Sequence, residues 1–149
     1  MAEHIAEISW QRETAGFAYD DYNRTHEWRF DNGAVVKAAA APAFLGDPAC
    51  VDPEEAFVAS IASCHMLTFL AICARKRIIV DMYKDHATGV MTKNDAGKLW
   101  VSGVTLRPRV TFSGEAPLAD EQQKLHHMAH KECFIANSVM TEIITHLDV

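Results

Sequence analysis

The chain has 149 residues, 49% of them hydrophobic and 23% charged, the composition of a folded domain with a real core rather than of a disordered polymer. Its 20 acidic against 14 basic residues leave a net charge of −6, which disfavours a nucleic-acid backbone as main partner and points to small molecules or proteins. The start, Met1-Ala2-Glu3-His4-Ile5-Ala6-Glu7, carries neither a basic leader nor an apolar stretch, so the expected compartment is the cytoplasm. There, four cysteines are poorly explained as a structural disulfide framework, and any pairing would be transient.

The length fits one domain over residues 1–149. Residues 3–10 alternate loosely and read as a strand, followed by a polar loop, Tyr19 to Thr25. Asn32-Gly33 sits between the β-patterned runs 26–31 and 34–38, a two-residue hairpin signal. After an irregular stretch, 42–51, a helix is expected from Pro53 to about Arg75. Asp52 suits its cap, Pro53 its first position, and Glu55 the third residue of a capping box.

Between Ala56 and Ala74 this helix has no Asp, Glu, Lys or Arg. Its length would span a bilayer, but Ser60, Ser63, Cys64, His65 and Thr68 crowd its centre and no second such segment follows. A helix apolar all round is the mark of full burial, and no membrane is expected. Covering every face exceeds what one sheet of this chain can supply. A dimer that packs the helix on its symmetry mate, across Ala59, Ser60 and Ser63, resolves this.

Residues 79–91 and 98–112 read as strands around a turn at Lys93 to Gly97, with Pro108 marking an edge or bulge. A second helix is expected over 117–132, with Leu118, Leu125, Met128 and Ala129 inward, and a last strand over 143–149. The fold class is therefore α+β.

Two cysteines stand out. Cys64 lies midway along the uncharged helix and Cys133 just past the His-rich one. Either can simply fill space. Alternatively Cys64 is a nucleophile, which needs a donor or cation to favour its thiolate, and Cys133 a resolving thiol that traps its sulfenic acid. His65 points about 100° away from Cys64 around the helix and is a poor direct activator. Cys73 is half a turn out of phase with Cys64, and Cys50 has no assigned role. His126, His127, His130 and Cys133 also invite a metal reading, supplemented by Cys64 or His65, although their spacing matches no tight zinc motif.

The segments Tyr22-Asn23-Arg24-Thr25-His26-Glu27-Trp28, Gly46-Asp47, Val51-Asp52-Pro53-Glu54-Glu55-Ala56-Phe57, Ala62-Ser63-Cys64-His65-Met66-Leu67 and Ala129-His130-Lys131-Glu132-Cys133 together resemble the OsmC/Ohr family of thiol peroxidases. The resemblance rests on the joint occurrence of the Pro-Glu to Cys spacing and the distal His-x-x-Cys. It implies an intertwined homodimer with sheets wrapped around a long buried central helix, and a cysteine peroxidase that reduces organic hydroperoxides.

By position it makes Cys64 the peroxidatic thiolate, Cys133 the resolving thiol and Glu54 the carboxylate that holds a catalytic arginine. Arg24 is the candidate for that arginine, with Arg29 as the alternative. It further implies recycling of a Cys64–Cys133 disulfide by an external dithiol of the lipoyl type, and calls for no cofactor. Phe134 follows Cys133 where the best-known branches have proline, so the chain resembles the broad OsmC-like group more than Ohr.

Two rival functions remain at this level. One is a non-catalytic dimeric module that binds a hydrophobic small molecule in the same cleft. The other is a metal-bound sensor built on the His/Cys cluster.

Overall fold

The computed structural model describes residues 1–148 and divides into two compact units, residues 1–56 and residues from Phe57 onward. It is α+β, with eight strands and two long helices among the described residues.

The first unit holds an antiparallel sheet of β1 (Ala6–Ser9), β2 (His26–Phe30) and β3 (Val35–Ala38). The β2–β3 hairpin turns through three residues rather than two. The Gly33 amide donates to the Phe30 carbonyl at 3.0 Å, the Phe30 amide to the Ala34 carbonyl at 3.0 Å, and Gly33 takes φ 86°. This is a tight turn closed by a left-handed residue, a conformation that glycine adopts without steric cost.

The segment after β3 folds back onto it, with the Ala39 amide donating to the Val51 carbonyl at 3.0 Å and the Val51 amide to the Lys37 carbonyl at 3.2 Å. Gly46 is required here, because a Cβ at this position would collide with the carbonyl of Ala40. These contacts deliver the chain to α1 (Pro53–Arg75), whose start is a reciprocal capping box. The Glu55 amide donates to Asp52 Oδ1 at 2.7 Å, and the Asp52 amide to Glu55 Oε2 at 3.1 Å.

α1 is long and apolar enough to cross a membrane by length and composition alone. Ile61, His65, Phe69, Ile72 and Cys73 are buried in protein, whereas Ser60, Ser63 and Leu67 face outward, Leu67 at 60% exposure. Within one chain the burial therefore follows one face of α1, in keeping with the expectation that a single chain does not cover every side of it.

The two expected strands after α1 each break in two. β4 (Val80–Asp85) pairs with β7 (Pro108–Phe112), while β5 (Thr88–Lys93) pairs with β6 (Leu99–Leu106). The chain changes sheet where Asp85 lies opposite Pro108, and the Arg107 amide donates to Asp85 Oδ1 at 2.7 Å. Proline has no amide to continue a ladder, so this is the natural corner. β8 (Glu142–Thr145) runs parallel to β6. It is shorter than expected, and Val149 lies outside the described residues.

α2 (Ala119–Glu132) buries Leu125, His126 and Ala129. Leu118 and Met128, expected inside, are 79% and 40% exposed, and His126 takes an inward position. Leu125 and Ala129 pack with Phe69, Ile72 and Cys73 of α1, flanked by Val80, Tyr83, Val110 and Phe112 of the β4–β7 sheet. A second cluster joins Ile61 to Val104 and Leu106, with Ile135 against it.

Candidate functional site

The second unit brings Cys64 and Cys133 together. Cys64 is half-buried on α1, and Cys133 is 1% exposed at the C-terminal end of α2, where the backbone leaves helix for extended geometry at φ −68°, ψ 116°. The turn that follows is tightly tied. The Asn137 amide donates to the Cys133 carbonyl at 3.0 Å, the Asn137 side-chain amide to the Lys131 carbonyl at 3.0 Å, and the Ser138 hydroxyl to the Phe134 carbonyl at 2.7 Å. A short 3₁₀ turn, Ala136–Ser138, completes it, and the Ile135 side chain is held in the cluster around Ile61.

This turn brings the backbone of residues 134 and 135 near Cys64. Burial alone would push the Cys64 thiol up, but the amide of Ile135, the Cys133 thiol, the amide of Phe134 and the Thr68 hydroxyl together hold it below its ordinary value. Thr68 has one proton and two takers, since its hydroxyl also reaches the Cys64 carbonyl at 2.8 Å. All these donors are neutral. Cys133 is shifted the other way: burial, and then the neighbouring Cys64, push its thiol up against the Ala136 amide, which donates to its sulfur at 3.4 Å. The two thiols are therefore shifted in opposite directions, Cys64 down and Cys133 up. Cys73 is buried with its thiol pushed up by burial, while Cys50 lies half-buried in the first unit.

Arg24 and Glu54 belong to the first unit. The Arg24 guanidinium donates to the carbonyls of Tyr22, at 3.0 Å, and Tyr19, and its plane lies 4.1 Å from the centre of the Tyr22 ring. It lines an open pocket of about 450 Å³ with Ile8, Trp10, Phe17, Tyr22 and His26. Glu54 is half-buried in the first turn of α1. Among the described residues Arg24 and Glu54 form no ion pair with each other, and Arg29 instead pairs with Glu27 at 2.7 Å on β2, through side chains that are largely solvent-accessible.

The His-rich end of α2 is put to a different use from the metal cluster considered above. His126 turns inward, and its Nδ1 lies 3.0 Å from Nε2 of His65 with the two rings parallel to within 1°. His127 is exposed and His130 half-buried, and both line a cavity of about 230 Å³ with His126. Among the described residues no group of three or more His, Cys, Asp or Glu side chains is arranged to hold a metal ion.

Sequence reasoning missed three contributors: Thr68, the amides of residues 134 and 135, and the His65–His126 pair. Thr68 was visible in principle, four residues after Cys64 and hence on its face of the helix. The amides carry no side-chain signature. The histidine pair had a clue in His65 itself, a polar ring inside an otherwise uncharged helix.

Residues 46–147 match the family model described as OsmC-like protein, and the chain belongs to that family. An OsmC-like protein of unknown function from Vibrio cholerae shares 47% identity over 99% of both chains, with a TM-score of 0.93. Two more distant structures share the fold. An organic hydroperoxide resistance protein OsmC from Legionella pneumophila is 18% identical, with TM-score 0.72 and 99% and 96% coverage of this chain and its own. The organic hydroperoxide resistance protein OhrB of Bacillus subtilis is 19% identical, with TM-score 0.69 and 97% and 98% coverage. Among curated proteins no match was found.

The buried imidazoles set a pH dependence. Burial, then His130, pulls His65 down to about 4, and burial, then His65, does the same to His126. The titratable groups beside them are His130 on α2 and Tyr83 on β4, and Asp85 lies next to Tyr83. Both histidines bind protons more readily when unfolded, at an ordinary value of 6.5, so their contribution to stability is complete above that pH and is lost as pH falls toward 4. The slope is up to about 1.4 kcal/mol per pH unit for each ring. Asp85, pushed up chiefly by burial, titrates with the opposite sign. Urea titrations between pH 7 and pH 4 therefore show falling stability in the native chain and a flatter profile in the double variant His65→Gln, His126→Asn; equal slopes would refute the assignment.

Proposed function

We propose that this protein is a cysteine peroxidase that reduces organic hydroperoxides to alcohols. The observation that carries the reading is the neighbouring pair itself, Cys64 on α1 beside the buried Cys133 at the end of α2, with the Cys64 thiol drawn down and the Cys133 thiol pushed up. The Cys64 thiolate attacks the peroxide oxygen remote from the organic group and, with one proton taken up, releases the alcohol and leaves a sulfenic acid. Cys133 then attacks that sulfur, water departs, and a disulfide forms. An external dithiol restores both thiols by exchange and leaves as its own disulfide. The family resemblance points to a lipoyl-type reductant.

The same resemblance assigns Arg24 to orient the peroxide and favour the thiolate, and Glu54 to hold Arg24. An always-charged planar donor suits that task. The outward stripe of Ser60, Ser63 and Leu67 on α1 supports a homodimer built on that helix. Four free thiols fit a reducing compartment, and we place the protein in the cytoplasm.

One equivalent of an alkyl hydroperoxide added to the reduced protein is expected to give an intramolecular Cys64–Cys133 disulfide, lighter by two hydrogens in intact mass. An unchanged free-thiol count would reject the peroxidase reading. Arg24→Ala is expected to slow Cys64 oxidation by about ten- to a hundredfold with little change in melting temperature. A variant as fast as the native chain would move the role to another arginine.

A further inference from the structure

The contacts between α1 and α2 raise a question of precision. Phe69, Ile72 and Cys73 meet Leu125 and Ala129 through apolar surface, which is non-directional and tolerates small slides and rotations. A disulfide does not, because its carbon–sulfur geometry admits only a narrow range of approach. Among the described residues the one directional side-chain bond between the bodies of the two helices is His65 Nε2 to His126 Nδ1, at 3.0 Å. Both rings are nearly sealed from solvent, at 1% and 3% exposure, and His126 is stacked on Phe69 with centroids 4.2 Å apart.

The sequence places this bond close to both thiols. His65 is the residue after Cys64. His126 lies seven residues before Cys133, about two helical turns, which brings the two within roughly 20° of one line along α2. We propose that His65 and His126 are a positioning pair, whose single shared hydrogen fixes the register of α1 against α2 so that the Cys133 sulfur can close on Cys64. The proposal rests on the peroxidase reading for its biological meaning, but its mechanical content is separate. A hydrogen bond of this length is lost on a displacement of about 1 Å, so the pair admits one register where apolar packing admits several.

The energetics give the proposal a signature that simple stabilisation lacks. Removing both partners of a buried hydrogen bond in favour of apolar groups of similar size is close to neutral for stability, whereas removing one leaves the other unsatisfied. The double variant His65→Leu, His126→Leu is therefore expected to melt within a few degrees of the native chain yet to pair its thiols poorly. In His65→Gln, His126→Asn, the Gln and Asn amides reach the positions of the imidazole Nε2 and Nδ1 and keep the bond. The swapped pair, His65→Asn, His126→Gln, has the same amides at the wrong reach.

The experiment separates the two steps on reduced protein treated with cumene hydroperoxide, scoring sulfenic acid by trapping with a 1,3-dione and disulfide by quenched intact mass. In the Leu pair, sulfenic acid is expected to form within about twofold of the native rate and to condense at least tenfold more slowly. The Gln/Asn pair is expected to recover condensation to within about threefold, and the swapped pair is not. Native condensation in the Leu pair, or no advantage of the matched over the swapped amides, would overturn the proposal; should the Leu pair fail to fold, the amide comparison decides alone.

Dithionitrobenzoate supplies a peroxide-free run. In a Cys50→Ser, Cys73→Ser background it caps Cys64 as a mixed disulfide, and attack by Cys133 then releases a second coloured thiolate. The same ranking of variants there supports the positioning role even if peroxide leaves Cys64 untouched, an outcome that would sink only the peroxidase reading.

Discussion

Everything proposed for this protein depends on one local arrangement, the turn after α2 that sets Cys133 and the backbone of Phe134 and Ile135 beside Cys64. A cysteine in the middle of an apolar helix is ordinarily an inert thiol, since burial opposes its charge. Here neutral donors offset it and draw the thiol down, on a turn tied by its own bonds to Asn137 and Ser138 and by the packing of Ile135. Donors fixed in advance need no reorganisation when charge develops, which is the efficient way to hold a reactive anion.

That turn is held by the fold around it. The capping box at Asp52 and Glu55 starts α1, and the corner at Asp85 and Pro108 splits each long strand between two sheets. Both sheets are thereby engaged, since β4 and β7 flank the cluster around Phe69 while β6 packs on Ile61. The outward stripe of α1 stays uncovered within one chain, which is why the dimer enters as a proposal about the active assembly.

Much of this architecture was legible in the sequence. The helix boundary at Pro53, both hairpins and the second helix follow from caps, glycines and hydrophobic spacing. Where the reading went astray, one physical cause recurs: tertiary context decides which face is inside. Leu118 and Met128 are apolar but exposed, whereas His126 is polar but buried, because His65 offers it a partner. The thiol couple was legible as two cysteines in unlike settings. Its activation was not, because backbone amides leave no trace in composition or spacing, and a search for an activating side chain looks past them.

The central claim is the asymmetry of the two thiols, and a direct thiol titration tests it. Ultraviolet thiolate absorbance, or the pH dependence of iodoacetamide alkylation resolved by mass, can be followed in Cys50→Ser, Cys73→Ser protein that retains Cys64 and Cys133. Cys64 is predicted to ionise first and below the ordinary value of a free thiol, with Cys133 above it. A Cys64 that titrates at or above that value, or after Cys133, would contradict the account.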